Sequence, residues 1–218
     1  MKNQLRQASK PVNCLLVEGS HDKHVLWSLL EHHKIPEVFR VEAKEGIDML
    51  LDTLEMELER SGLTRLGIVV DADSDIQSRW DALRNKLTQY GYKTVPSQPN
   101  AEGTIIVEED LPVVGIWLMP ENTLPGMLED FLHFLVPAED SLWLLAEEIV
   151  QQVEAQERRF RPTYRSKAKM YTWLAWQEEP GKPLGQAITA RYLDANASHA
   201  QKLVAWMRNL FELTEVSI

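Results

Sequence analysis

Short apolar runs separated by amphipathic segments organise the first half of the chain. Four runs have the length and near-continuous apolar character of buried β-strands. They are Val12–Val17, Val38–Glu42, Leu66–Val70 and Val113–Met119. The segments that follow Gly19, and those over Gly46–Arg60 and Ile76–Tyr90, carry apolar residues at helical spacing. Strands that alternate with helices predict a parallel sheet covered by helices on both faces.

The remaining segments predict a less regular second half. Two short β-like pieces, Tyr92–Val95 and Thr104–Val107, surround a turn rich in Pro, Asn and Gly. From Gly126 onward the pattern is helical, in four or five segments. We therefore expect an α/β core over residues 10–125, with a central, mostly parallel four-stranded sheet, and a helical C-terminal extension over residues 126–218 packed on that core.

Composition narrows the class of protein. The 218 residues include 33 acidic and 23 basic side chains, a formal net charge of −10. This net negative charge argues against a protein that binds nucleic acid through its overall charge, although a local basic surface could still bind it. A single cysteine, Cys14, excludes an internal disulfide and a Cys-based zinc site. The apolar runs are too short for a membrane span or a signal peptide, so we predict a cytoplasmic protein without a membrane partner.

Acidic residues follow three of the predicted strands. Glu18 comes after the first strand, Asp71, Asp73 and Asp75 after the third, and Glu121 after the fourth. The carboxyl ends of parallel strands form the ligand-binding edge of such a sheet. Carboxylates gathered there repel one another unless a cation neutralises them, and oxygen ligands favour Mg²⁺ or Mn²⁺. In an extended segment Asp71 and Asp73 would point the same way and could face one ion.

Helix capping is the alternative explanation for these acids. Each lies just before a predicted helix, where an acidic side chain is favoured by the helix dipole. The convergence of three strand ends favours a metal or phosphoryl role for Glu18, Asp71 and Asp73. For Asp75, capping of the helix that starts at Ile76 is the favoured interpretation, and metal binding stays open.

Two motifs resemble the Toprim signature. Glu18-Gly-Ser-His-Asp22 matches an E-G-x-x-D turn at the end of a strand, and Asp71-Ala-Asp73 matches a D-x-D at the end of a later strand. Toprim domains occur in bacterial primases, topoisomerases and the overcoming-lysogenisation-defect nucleases. The resemblance implies a Toprim-like fold and a site with Glu18, Asp71 and Asp73 as metal ligands, and with Asp22 and Asp75 as lesser candidates. It also implies that Glu18 could act as a catalytic acid or base.

A narrower resemblance extends towards the C-terminus. The segments Gly115–Asn122 and Gly126–Phe131 are similar to an uncharacterised bacterial Toprim-like family related to those nucleases. The related nucleases hold one or two divalent cations for phosphodiester hydrolysis, and they carry a comparable late acid. This resemblance makes Glu129 a candidate ligand for a second metal ion, although an acid in the first turn of a helix is favoured in any case.

A basic cluster interleaved with aromatic residues begins near the middle of the helical region. Its members are Arg158, Arg159, Arg161, Arg165, Lys167 and Lys169. It could bind phosphates while Tyr164 and Phe160 stack on bases. It could instead dock on an acidic protein surface, or form a solvated connection between two helices with Pro162 at the break.

The sequence leaves several functions open. The leading hypothesis is a Mg²⁺- or Mn²⁺-dependent Toprim-like nuclease or phosphotransferase that acts on DNA or RNA. The alternative is a non-catalytic Toprim-fold module that binds nucleic acid or a protein partner. A receiver-like phosphoacceptor is a weaker hypothesis, because receivers place an acidic pair after the first strand and here Gly19 follows Glu18.

Overall fold

A five-stranded sheet forms the centre of the molecule. The computed structural model describes residues 12–213. The strands are β1 (Cys14–Val17), β2 (Arg40–Ala43), β3 (Arg65–Asp71), β4 (Thr104–Ile106) and β5 (Val113–Met119). Their order across the sheet is β2-β1-β3-β5-β4, and all pairs are parallel except β4 with β5. The ends of β1, β3 and β5 therefore meet at one edge of the sheet.

Helices cover both faces of the sheet. The α-helices are α1 (Ser20–His32), α2 (Ile47–Leu58), α3 (Ile76–Tyr90), α4 (Leu128–His133), α5 (Ser141–Glu157), α6 (Arg165–Leu174), α7 (Leu184–Thr189) and α8 (Ser198–Phe211), and a 3₁₀ turn spans Pro162–Tyr164. Alternate strand residues point to opposite faces. Leu16 and Ile68 thus pack with α2 and α3. Leu15 and Val69 pack with α1 and the C-terminal helices. The result is an α/β protein with a three-layer arrangement.

Helix α8 packs directly on the two central strands. Gly67 of β3 and Gly115 of β5 face the buried side chain of Leu210. A methyl group at Gly115 would lie 2.5 Å from Leu210 Cδ2, so only glycine lets the helix approach this closely. Leu15, Trp117 and Leu210 belong to one hydrophobic cluster. The last helix thus shares its core with the sheet.

The structure corrects the predicted strand count. The expected four-stranded sheet has a fifth strand, because Thr104–Ile106 pairs antiparallel with β5 at the edge. The other β-like piece, Tyr92–Val95, is not a strand. Its Tyr92 and Val95 are buried, but the N–H groups of Lys93 and Thr94 both donate to one carboxylate oxygen of Glu108. That side chain satisfies the donors that a neighbouring strand would otherwise pair.

None of the helices within residues 12–213 combines the length and the apolar character that a membrane crossing requires.

Candidate functional site

Glu18 and Asp71 lie side by side at the carboxyl ends of adjacent strands. Val17 is paired in register with Val69, so Glu18 follows β1 next to the end of β3. The N–H of Asp71 donates to Glu18 Oε2 over 3.4 Å. The parallel register therefore brings together two acids that are far apart in the sequence, as the strand-end argument predicts.

Asp22 adds a third carboxylate from the first turn of α1. Its Oδ2 accepts the N–H of Gly19 over 3.1 Å, which closes the turn between β1 and α1. Asp22 is only 7% exposed, and its other oxygen, Oδ1, is buried with no hydrogen-bond partner in the described chain. Buried polar atoms are nearly always paired. A carboxylate oxygen buried in this way could be satisfied by a cation or by a proton on the acid itself.

Glu129 reaches the same place from helix α4. The N–H of Leu128 donates to Asp71 Oδ1 over 2.8 Å and fixes the start of α4 at the end of β3. Glu129 is the next residue and is 3% exposed. Its Oε1 lies 3.4 Å from Lys167 Nζ of α6. The late acid noted in the sequence is therefore a member of the site.

The carboxylates interact electrostatically. Burial raises the pKa of Asp71 well above its usual range, and the charges of Asp22, Glu18 and Glu129 raise it further. Burial raises the pKa of Asp22 to about 7, with Glu18 and Glu129 adding to the rise and the main-chain N–H groups of Asp22 and Gly19 opposing it. Burial also raises the pKa of Glu18, although Arg79 opposes the rise. The site carries more negative charge than its own donors neutralise.

A cavity of about 280 Å³ opens over these groups. Its lining includes one ammonium group, that of Lys167, and five carboxylates: Glu18, Asp22, Glu45, Asp71 and Glu129. A larger cavity of about 770 Å³ lies between α1 and β2, but its two acidic and two basic residues balance. The smaller cavity is therefore the candidate functional site, because five carboxylates and one ammonium group line it.

Asp73 and Asp75 lie outside the cavity. Asp73 has a left-handed backbone conformation, φ 54°, so it does not continue the strand beyond Asp71. Its carboxylate pairs with Arg79, while its charge still acts on Asp71 and Glu18. Asp75 caps α3 by accepting the N–H groups of Gln77 and Ser78, which is the favoured interpretation from the sequence.

Glu121 also turns away from the cavity. Its Oε2 lies 3.1 Å from His199 Nε2 of α8, and its Oε1 accepts the hydroxyl of Thr123 over 2.5 Å. His199 stacks on Phe134, with ring centroids 3.9 Å apart. The acid that follows β5 therefore connects the strand to the C-terminal helices.

The six residues of the basic cluster differ in their partners and in their exposure. Arg165 Nε lies 3.0 Å from Glu154 Oε2, and Lys169 Nζ lies 3.1 Å from Glu147 Oε1, so both connect α6 to α5. Arg159 pairs with neighbouring Glu157. Arg158 and Arg161 are exposed and have no acidic partner within residues 12–213. Lys167 alone among the six lines the acidic cavity.

Divalent-cation binding depends on the oxygens that remain available. Among residues 12–213, no group of three or more His, Cys, Asp or Glu side chains is arranged to hold a metal ion as the side chains stand. Glu18, Asp22 and Asp71 nevertheless each use one oxygen for a main-chain N–H. The second oxygen of each has no donor in that part of the chain. Such oxygen ligands fit a hard cation such as Mg²⁺ or Mn²⁺.

Two cavity residues were missed or misassigned by sequence reasoning. Glu45 lies two residues beyond the end of β2, at the same edge of the sheet as Glu18, so the strand-end argument could have found it. The sequence pattern assigns Lys167 to the basic cluster and not to the acidic site. No signal in the local sequence separates it from Arg165 or Lys169, because its role depends on how α6 packs against α4.

The fold and the site together define an α/β protein with an acidic site at the carboxyl edge of a mostly parallel sheet. Residues 12–212 match the family described as "Protein of unknown function (DUF3226)", and the chain belongs to that family. No curated protein and no solved structure matches the chain.

Proposed function

We propose that this chain is a Toprim-like, divalent-cation-dependent nuclease or phosphotransferase that acts on nucleic-acid phosphodiesters. The observation that carries the proposal is the unpaired, buried Oδ1 of Asp22, an acid that interacts electrostatically with Glu18 and Asp71. The Toprim resemblance supports it, because both motifs supply residues of one cavity. A capping role alone would leave no reason to bury an unsatisfied acid among acids.

Different residues of the cavity would bind the cation, transfer a proton and contact the phosphate. Glu18, Asp22 and Asp71 would hold Mg²⁺ or Mn²⁺ with their remaining oxygens. The bound cation would neutralise the phosphate and activate a water molecule. Glu18 is alternatively the candidate general base, because it lines the cavity and its one oxygen without a donor could take a proton instead of holding the cation. Lys167, which also lines the cavity, would contact a phosphate oxygen.

A matched pair of substitutions tests the proposal. Purified protein is incubated with labelled single- and double-stranded DNA and RNA in Mg²⁺, Mn²⁺ or EDTA. We expect metal-dependent cleavage that Asp71→Asn abolishes and Asp75→Asn retains, since both changes remove one charge but only Asp71 lines the cavity. Cleavage that persists in EDTA or in Asp71→Asn would contradict the proposal.

A second candidate is a non-catalytic Toprim-fold module with the same acidic site. The pairing of Arg165 and Lys169 with acids of α5 favours it, because it removes two cations from phosphate binding. Cation binding by the wild-type chain, without cleavage of any of the four substrates, would support this module over the nuclease.

A further inference from the structure

Two consecutive residues of α6 contact two consecutive residues of α4. Ser166 Oγ donates to Asp130 Oδ1 over 2.5 Å, and Lys167 Nζ lies 3.4 Å from Glu129 Oε1. Asp130 in turn accepts the N–H of Met127 over 2.9 Å. The start of α6 is therefore held against the start of α4, and this contact fixes the position of Lys167 over the cavity.

Lys167 remains an ammonium group at this position. Burial alone would lower its pKa, but the nearby carboxylate of Glu129 raises the pKa above its usual value. The Lys167 ammonium also lies 5.7 Å from the ring centroid of Tyr164, within the range of a cation–π contact. The site thus contains a permanent positive group on the side formed by α4.

This ammonium changes what Glu129 can bind. A second divalent cation on Glu129 would have to displace Lys167 or lie beside it at the cost of charge repulsion. Glu129 is almost completely buried, so its charge requires a partner, and Lys167 supplies one. The charge of Asp71 also acts on Lys167, but Glu18, Asp22 and Asp71 form no ion pair with an ammonium group within residues 12–213. A cation on their remaining oxygens would offset their charge.

We propose that the site binds one divalent cation, on Glu18, Asp22 and Asp71, and that the Lys167 ammonium takes the place of a second one. This inference rests on the proposed function. Lys167 then supplies the second positive charge that stabilises a phosphate in the cavity. A consequence is that the C-terminal helices complete the site, because the α/β core contributes carboxylates, Ser20 and His21 to its lining but no lysine or arginine.

The number of bound ions tests the inference without reference to cleavage. Mn²⁺ binding to the 218-residue chain is measured by isothermal titration calorimetry and by electron paramagnetic resonance. We expect one Mn²⁺ per wild-type chain and two per Lys167→Met chain, because that change leaves Glu129 without its cation. Arg161→Met removes a positive charge outside the cavity, and this variant should still bind one ion. Lys167→Arg keeps the positive charge at position 167 and should also bind one ion; it is measured as well in case Lys167→Met fails to fold.

The outcomes separate the two proposals. Two ions on the wild-type chain, or a folded Lys167→Met chain that still binds one, would overturn the role of Lys167 and leave the proposed metal-dependent function standing. No ion on the wild-type chain would overturn both, because no cation-dependent chemistry could then occur at this site.

Discussion

The main-chain N–H of Leu128 donates a 2.8 Å hydrogen bond to Asp71 Oδ1. This contact joins the end of β3 to the start of α4 and brings Glu129 to the acidic cavity. Asparagine at position 71 can accept the same hydrogen bond through its side-chain oxygen. An Asp71→Asn change therefore removes a charge from the site while keeping the contact that positions α4.

The first prediction concerns stabilisation by Mg²⁺. A ligand present at 100 times its Kd stabilises the folded state by about 2.7 kcal/mol, which raises Tm by roughly 5–10 °C in a chain of this size. We expect Mg²⁺ to raise the Tm of the wild-type protein and to leave the Tm of Asp71→Asn nearly unchanged. Differential scanning calorimetry with Mg²⁺ or EDTA measures both. Asp75→Asn is the control and should respond as wild type does.

The second prediction concerns pH. The pKa of Asp22 is about 7 in the folded state and 3.8 as its ordinary value, so the folded protein binds the proton more tightly than the unfolded chain. Stability without metal should therefore fall as pH rises from about 4 to 7. Asp22→Asn removes this contribution and should raise the free energy of unfolding at pH 8 by about 1–3 kcal/mol.

Denaturant unfolding of the metal-free protein at pH 5 and pH 8 checks this. The benefit of Asp22→Asn should be smaller at pH 5, where the wild-type carboxyl is largely protonated. An equal effect at both pH values would mean that folding does not raise the pKa of Asp22.

The third prediction separates capping from metal binding at Asp75. Asp75 accepts the N–H groups of Gln77 and Ser78 and the hydroxyl of Ser78. Asp75→Ala removes this N-cap and should lower Tm by about 2–4 °C. Its response to Mg²⁺ should remain that of wild type. A loss of Mg²⁺ affinity in Asp75→Ala, with the fold intact, would show that Asp75 serves the metal site after all.

The fourth prediction tests the close packing of α8 on the sheet. A methyl group at Gly115 would contact Leu210 and Trp206, which are both buried and cannot move aside freely. Gly115→Ala should therefore destabilise the protein by about 1–3 kcal/mol. Adding Leu210→Ala should cost less in this background than in wild type, because the smaller side chain relieves the clash. Urea unfolding of the four chains measures the coupling, and additive effects would contradict it.

Strand ends could be predicted from the sequence, but side-chain partners could not. Apolar runs placed Glu18 and Asp71 at one edge of the sheet, and the register of β1 with β3 brings them together. Asp73 and Glu121 were expected beside them on the same argument. The structure instead pairs Asp73 with Arg79 on the following helix and Glu121 with His199 near the end of the chain. Local spacing carries no information about such partners.

The same limit explains the fifth strand and Lys167. The short β4 is an edge strand whose pairing depends on the path of a loop, and a three-residue run predicts it weakly. Lys167 enters the cavity because Ser166 and Lys167 meet Asp130 and Glu129. That contact joins two helices whose relative position no pattern within either helix determines.

The last prediction concerns nucleic-acid binding by the basic cluster. Arg158 and Arg161 are the exposed arginines of the basic cluster that have no acidic partner in the described chain, whereas Arg165 forms an ion pair with Glu154. If single-stranded nucleic acid crosses this surface, each arginine that contacts a phosphate contributes about 0.7 to the slope of log K against log salt concentration.

Fluorescence anisotropy with labelled single-stranded DNA in Ca²⁺ and increasing NaCl measures that slope. We expect the combined Arg158→Ala and Arg161→Ala changes to lower its magnitude by about 1.4. Arg165→Ala should leave the slope unchanged, because its guanidinium already neutralises an acid of α5. A slope that falls with Arg165→Ala and not with the other two changes would place the nucleic acid on the α5–α6 contact. No change in any of the three would exclude Arg158, Arg161 and Arg165 from nucleic-acid binding.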